Sequence, residues 1–295
     1  MGDVGSDIET RIPDTSFATR APFELSDELK KKVAALGLEE SVQQVKENGY
    51  GYIHDLAPIE FTERLREVVL SLSRTIPDIG LPVPFNVNML LPKDPIFEEV
   101  VLNPKLLTMA EVLCGKGALL SQLIASVKSK TDASGDGKGG LHVDQGFMAA
   151  PYPVHNQMAT FCWACDEFSE SAGSTRLVPG SHHHRRCPDE QEVAAEAGAI
   201  HTECPGGSVA LWDGSVWHTG NAPRRIDGKR VVVHITYSRL AIRPVESYDF
   251  LGEDWLQDKP FEMRVLLGRE DFLSTPDGAF ADIAKIGRTM EWAKS

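Results

Sequence analysis

The run GSVALWDGSVWHTG (207–220), followed by RVVVHITYSRLAI (230–242), decides how the second half of the chain folds. Both stretches are apolar and rich in β-branched residues, and both are bounded by Gly, Pro or Asp, which marks short strands joined by tight turns. Working outward, ALLSQLIASVKSK (118–130), MATFCWACDEF (158–168) and GSTRLVPGSH (173–182) have the same character. Several such strands at close intervals predict a sandwich, jelly roll or barrel over roughly residues 118–242. The text before them is different. SDELKKKVAALG (26–37), LEESVQQVKENG (38–49), APIEFTERLREVVLSLSRTIP (57–77) and NPKLLTMAEVLCG (103–115) carry caps, acidic first turns, helical spacing and terminal Gly. YGYIHDL (50–56) is a short strand among them. Helices gathered ahead of strands predict an α+β fold whose helices buttress one sheet.

Composition narrows the class. The 295 residues are 42% hydrophobic and 25% charged, values of a folded domain with a large core. The reading is one domain over 26–295, preceded by a loosely held polar arm at 1–25. A formal net charge of −13 argues against a general nucleic-acid binder, which needs surplus Lys and Arg. No apolar run approaches the ~20 residues that span a bilayer. Five cysteines without framework spacing, and no signal-like start, lead to the expectation of a reducing, cytoplasmic setting. Cys162 and Cys165 read as buried thiols on opposite faces of a strand rather than as a zinc pair.

The chemistry sits in GGLHVDQGFM (139–148), just after the Gly-rich SGDGKGG (134–140). Read as the start of a strand, His142 and Asp144 point to one face and Val143 to the other. Alone, such a pair means little. His218, after a hairpin signal at Asp213-Gly214, supplies a second histidine on a strand that can lie alongside. Two histidines and one carboxylate on one face are the donor set of a facial metal triad with open positions. Arg230 then opens the β-branched strand; buried there it calls for an anion, whereas on the surface it is one of three neighbouring arginines with Arg224 and Arg225.

The order of H-x-D, AGSTRLVPGSHH (172–183), a distal His and an Arg on the next strand resembles the phytanoyl-CoA dioxygenase family of Fe(II)/2-oxoglutarate-dependent oxygenases. The likeness covers roughly residues 140–240. It implies a double-stranded β-helix, with Fe(II) held by His142, Asp144 and His218, 2-oxoglutarate chelating the iron, and O2 as the oxidant. It also implies that Arg230 holds the distal carboxylate of 2-oxoglutarate and that Thr175 and Gln145 join the cosubstrate site. By analogy with pocket-lining positions, Asn88, Gln122 and Met148 face a small-molecule substrate. Many relatives place the Arg 11 positions after the distal His and a Ser two after it; here the spacing is 12 and the residue is Gly220. Lys229 therefore stays open as an alternative to Arg230. Asp144 stands where related halogenases have a small residue, which argues against halogenation.

The expected activity is hydroxylation of a C–H bond of a small metabolite, with succinate and CO2 as coproducts. The alternative is a non-catalytic or differently metallated cupin-like binding protein. His182, in SHHHRRC (181–187), reads as a turn residue with His183 and His184 solvated; His155, His201 and His234 read as packing or loop residues, and Trp212 and Trp217 as strand core. The long C-terminal segment leaves room for a homodimer.

Overall fold

The computed structural model describes residues 20–74, 85–273, 275, 278 and 280–294. Most of the expected N-terminal arm, residues 1–19, lies outside them. The first helices form where capping and spacing require. Helix α1 (Asp27–Ala35) starts at Ser26, whose side chain accepts from Leu29 N at 3.1 Å, and buries Leu29 and Val33. Helix α2 (Glu39–Asn48) stops at Gly49, which takes the left-handed φ of 80° and leads into strand β1 (Tyr50–Ile53). After α3 (Ile59–Ser73) come β2 (Phe85–Val87), α4 (Ile96–Val101) and α5 (Pro104–Cys114), the last capped by Asn103 with Pro104 in its first turn.

The strand-rich half follows with β3 (Leu119–Ser129), β4 (Met158–Ala164), β5 (Arg176–Leu177), α6 (Glu190–Ala195), β6 (Ile200–His201), β7 (Val209–Asp213), β8 (His218–Thr219) and β9 (Lys229–Ser238). They form a six-stranded antiparallel sheet in the order β1-β7-β4-β9-β3-β2 and a three-stranded sheet in the order β6-β5-β8. The arrangement is a double-stranded β-helix of jelly-roll type, and the larger sheet also recruits β1 and β2 from the helical third. Helices α7 (Glu253–Leu256), α8 (Phe261–Leu266) and α9 (Ile283–Trp292) complete the chain. Among the described residues no helix is long and apolar enough to cross a membrane.

Alternation sorts the larger sheet into two faces. The outer face, with Leu123, Ala125, Phe161, Trp163, Leu211, Val233 and Ile235, packs on the helices in the main core. The inner face presents Cys162, Ala164, Ala210, Trp212 and Val232 to Leu177 of the smaller sheet and to Phe168, Val216 and Cys204. Cys162 and Cys165 fall in different clusters, and all five cysteines are free.

The Asp213-Gly214 turn does not close a hairpin within one sheet. β7 pairs with β1 and β4, whereas β8 pairs with β5, so the turn carries the chain from one sheet to the other. Asp213 Oδ1 fixes it by accepting from Ser215 N at 2.8 Å, and an added Cβ on Gly214 would lie 2.6 Å from the Met158 carbonyl oxygen.

Candidate metal centre and its anion pocket

His142 is bridged to His218 at the edge of the smaller sheet, but Asp144 is not on a strand. It lies in a turn over Val143–Gly146, in which Gly146 N donates to Val143 O at 3.3 Å and Gln145 N donates to Gly214 O at 3.3 Å. The expected strand start is therefore a single bridge followed by a turn. The alternation nevertheless survives, because Leu141 and Val143 are buried with Tyr152 and Trp217, which turns His142 and Asp144 the other way.

The ligand atoms of His142, Asp144 and His218 all lie within 4.8 Å of one another, and this is the one such group of three among the described residues. His218 Nε2 is 3.4 Å from Asp144 Oδ1. Both imidazoles are oriented by their own backbone. His142 Nδ1 is 2.9 Å from Gly140 O, and His218 Nδ1 is 2.9 Å from Val216 O. A carbonyl can only accept, so each Nδ1 carries a proton and Nε2 is the nitrogen left for a metal. Asp144 is held likewise: its Oδ2 accepts from Thr160 Oγ1 at 2.8 Å and from Trp212 Nε1 at 3.1 Å, leaving Oδ1 toward the histidines.

The three groups shift one another: burial lowers His218, but Asp144 and the Val216 carbonyl outweigh it and raise it. Burial pushes the Asp144 carboxyl up, but His218 and the Thr160 hydroxyl outweigh it and hold Asp144 well below the usual carboxylate range. Burial and the neighbouring His218 lower His142, so it is neutral and ready to ligate. Donors of this kind on one side of a point fit a divalent transition metal with open positions opposite.

Arg230 is buried at 3% exposure on the inner face of β9, while Lys229 is exposed. Its guanidinium lies over the Phe168 ring at 5.1 Å and donates through one terminal nitrogen to Gly173 O, while its buried Nε has no partner. An unsatisfied guanidinium nitrogen in the interior is costly, and an anion would satisfy it.

The other expected residues separate. Gln145 is buried beside Asp144 with its Oε1 unpartnered. Thr175 is buried just ahead of β5, its carbonyl accepting from Thr202 N at 2.8 Å. Gln122 is half-buried on β3 opposite Thr236, whose hydroxyl is 3.0 Å from that of Thr160. Asn88 is exposed one residue past β2. Met148 packs on the Leu141–Val143–Tyr152–Trp217 cluster, on the side of the H-x-D segment away from its two ligands.

The histidine run stays out of the centre: the His184 ring stacks on Trp217 at 4.7 Å, and His182 lies against His183 at 3.9 Å. Trp217 remains core. Trp212 is more than core, since its indole both bonds Asp144 and lies 4.8 Å from the His218 ring. His234 is neither packing nor loop. Its Nδ1 is 3.1 Å from Cys162 Sγ and its Nε2 is 3.2 Å from Ser126 Oγ, which donates to Asn86 Oδ1 at 2.7 Å. That polar chain lines the inner face between Thr236 and Arg230. The signal in the sequence was the position of His234 on β9, four residues from Arg230 and therefore on the same face.

Comparisons with known proteins agree with the fold. Dioxygenase af480 of Aspergillus fumigatus is 25% identical over 169 residues, covering 57% of this chain and 53% of that protein. The uncharacterized protein Rv1501 of Mycobacterium tuberculosis is 31% identical over 151 residues, covering 43% of this chain and 54% of that protein. The chain thus spans about half the length of the curated relatives it matches. Among solved structures, the non-heme alpha ketoglutarate dependent epimerase SnoN from nogalamycin biosynthesis superposes with a TM-score of 0.57 at 19% identity, over 73% of this chain and 88% of that one. HygX from Streptomyces hygroscopicus, with nickel and 2-oxoglutarate bound, gives 0.56 at 16% identity, over 74% and 93%. Residues 83–226 match the model of the family described as phytanoyl-CoA dioxygenase (PhyH), a span that holds all three metal-site side chains and stops short of Arg230. Over that span, just under half of its length, the chain is similar to the PhyH family.

Proposed function

We propose that this protein is an Fe(II)/2-oxoglutarate-dependent oxygenase that oxidises a C–H bond of a small organic metabolite. The observation that carries the reading is the convergence of His142, Asp144 and His218 within 4.8 Å, each held by a hydrogen bond that leaves a ligand atom free. The buried Arg230, with a partnerless Nε, supports a dicarboxylate as the second component. Iron bound there would couple oxidative decarboxylation of 2-oxoglutarate to oxidation of the substrate, giving succinate and CO2.

The residues of this chain set the conditions for that chemistry. His142 offers a neutral Nε2, Asp144 stays ionised, His218 would give up its Nε2 proton to a metal, and Arg230 aligns the cosubstrate by its far end. Gln145, Thr175, Gln122 and Asn88 are the proposed contacts to cosubstrate and substrate; Met148 supports the wall from behind. The likeness to SnoN, an epimerase, indicates that a common framework serves outcomes besides hydroxylation. Hydroxylation is the simplest of them. Incubation with Fe(II), O2 and 2-oxoglutarate tests the reading: succinate that forms only with added iron and is absent in His142→Ala supports it. A chain that binds zinc tightly and releases no succinate with any small-molecule library would instead be a cupin-like binding protein.

A further inference from the structure

Arg230 has a cationic companion. Across the β3–β9 ladder Lys128 stands directly opposite it, and the two side chains are 8% and 3% exposed. Like charges facing each other across a ladder repel, and burial strengthens the repulsion. Among the described residues neither forms an ion pair with a carboxylate. Asp166, a carboxylate whose field reaches Arg230, is occupied by Arg66 Nε at 2.9 Å and by Val231 N at 2.8 Å. The Lys128 ammonium instead donates to three backbone carbonyls, those of Gly173 at 2.8 Å, Gly220 at 2.8 Å and Ala222 at 2.6 Å. Gly173 O also receives Arg230, so two buried cations share one acceptor.

We propose that Lys128 is a positioning residue of the cosubstrate site, supplying the second positive charge of the pocket that receives the distal carboxylate of 2-oxoglutarate. The proposal rests on the oxygenase reading above. Lys128 does not touch the carboxylate, because its nitrogen is already surrounded by three backbone carbonyls. It acts by drawing the Gly173, Gly220 and Ala222 carbonyls toward itself, so that their negative ends are neutralised, and by leaving the Arg230 Nε unsatisfied. Position 220, where many relatives carry a Ser, is here a Gly whose carbonyl serves this lysine, and an added Cβ there would meet nothing within 4 Å. A lysine behind the loop replaces a hydroxyl in front of it.

A consequence is proton uptake on binding. Burial first, then Arg230 and Arg176, pull Lys128 down to about 7. The other groups facing it keep their state near neutrality. Arg230 stays charged with a value of about 10, Arg176 is paired with Glu196, and His234 and His201 are lowered by burial and so remain neutral. A carboxylate arriving beside Arg230 favours the ammonium, so the chain takes up a proton wherever free Lys128 is partly neutral. With a midpoint near 7 and one pKa unit of coupling, uptake is roughly 0.1 proton at pH 6 and roughly 0.4 proton at pH 8.

Calorimetric titration of 2-oxoglutarate into the anaerobic Fe(II)-loaded chain, in buffers of different ionisation enthalpy at pH 6 and pH 8, tests this. Wild type should show the rise in uptake. Lys128→Met should lose it and bind 2-oxoglutarate about tenfold more weakly, the equivalent of one pKa unit of coupling. Lys128→Arg, charged at both pH values, should recover affinity without uptake. Equal uptake at both pH values in wild type, or undiminished affinity in Lys128→Met, overturns the role of the lysine alone. The wild-type comparison decides even if Lys128→Met does not fold. A wild-type chain that binds no 2-oxoglutarate overturns the oxygenase reading itself.

Discussion

The main chains of His142 and His218 exchange two hydrogen bonds, of 3.0 and 2.9 Å, so the first and last of the proposed ligands are joined by backbone before any metal binds. The centre is therefore preorganised, and its side chains are replaceable without undoing the bridge. His142→Ala should fold with a metal-free melting temperature close to that of wild type. Wild type should gain about 2.7 kcal/mol of stability from Fe(II) at a hundred times its dissociation constant, whereas His142→Ala should gain almost none. Differential scanning calorimetry with and without metal checks this, and equal metal stabilisation of both chains would count against the assignment of the ligand.

Asp144 is aimed by two donors that never reach the metal. Thr160→Val and Trp212→Phe each remove one hydrogen bond to Oδ2 while keeping most of the volume. Each should weaken metal binding by about 10–100-fold with a normal circular dichroism spectrum. Titration against a competing chelator measures it.

The Gly-rich segment before the centre is held by arginines from elsewhere in the chain. Arg176 pairs with Glu196 at 2.7 Å, with side-chain exposures of 9% and 1%, and also donates to the carbonyls of Asp136 and Gly137. Arg225 reaches the carbonyls of Thr131, Ala133 and Gly135. Arg176→Met leaves the Glu196 carboxylate buried without its partner, which should cost about 3–5 kcal/mol in urea unfolding. A loss below about 1 kcal/mol would show that the pair is dispensable.

His234 gives the fold a pH dependence. Burial lowers its imidazole to about 4, so between about 6.5 and 4 the unfolded chain binds a proton that the folded chain does not. Stability is complete above the upper value and declines as pH falls through the interval. His234→Gln removes the titrating ring, and the drop in melting temperature from pH 7 to pH 5 should be smaller in this variant, measured without metal. An unchanged drop would assign the loss to other groups, such as His182, which burial likewise lowers to about 4.

Much of this was legible in the sequence, and what was not has a physical reason. The triad was readable because one-residue spacing and a distal histidine leave few alternatives, and the helices were readable from Ser26, Asn103 and their terminal glycines. The inner face of β3 was not. Gln122, Ser126 and Lys128 alternate with the apolar Leu123, Ala125 and Val127, the pattern of a strand with one face in water. Here the polar face turns toward the smaller sheet and the apolar face meets helices. Period alone cannot distinguish the inner face of two stacked sheets from bulk solvent, and nothing in the spacing singles out Lys128. Trp212 was missed for the opposite reason: its bulk reads as core, and the indole N–H that bonds Asp144 leaves no mark on hydropathy. The turn at Asp144 was hidden because a bridge of one residue has the same alternation as a strand.

The most direct test is anaerobic calorimetry of 2-oxoglutarate binding, with and without Fe(II), in wild type, Arg230→Met and Lys229→Met. We predict one equivalent bound per chain only when metal is present, at least tenfold weaker binding in Arg230→Met and near-normal binding in Lys229→Met. Binding that ignores the metal, or that is lost in Lys229→Met and kept in Arg230→Met, would contradict the account.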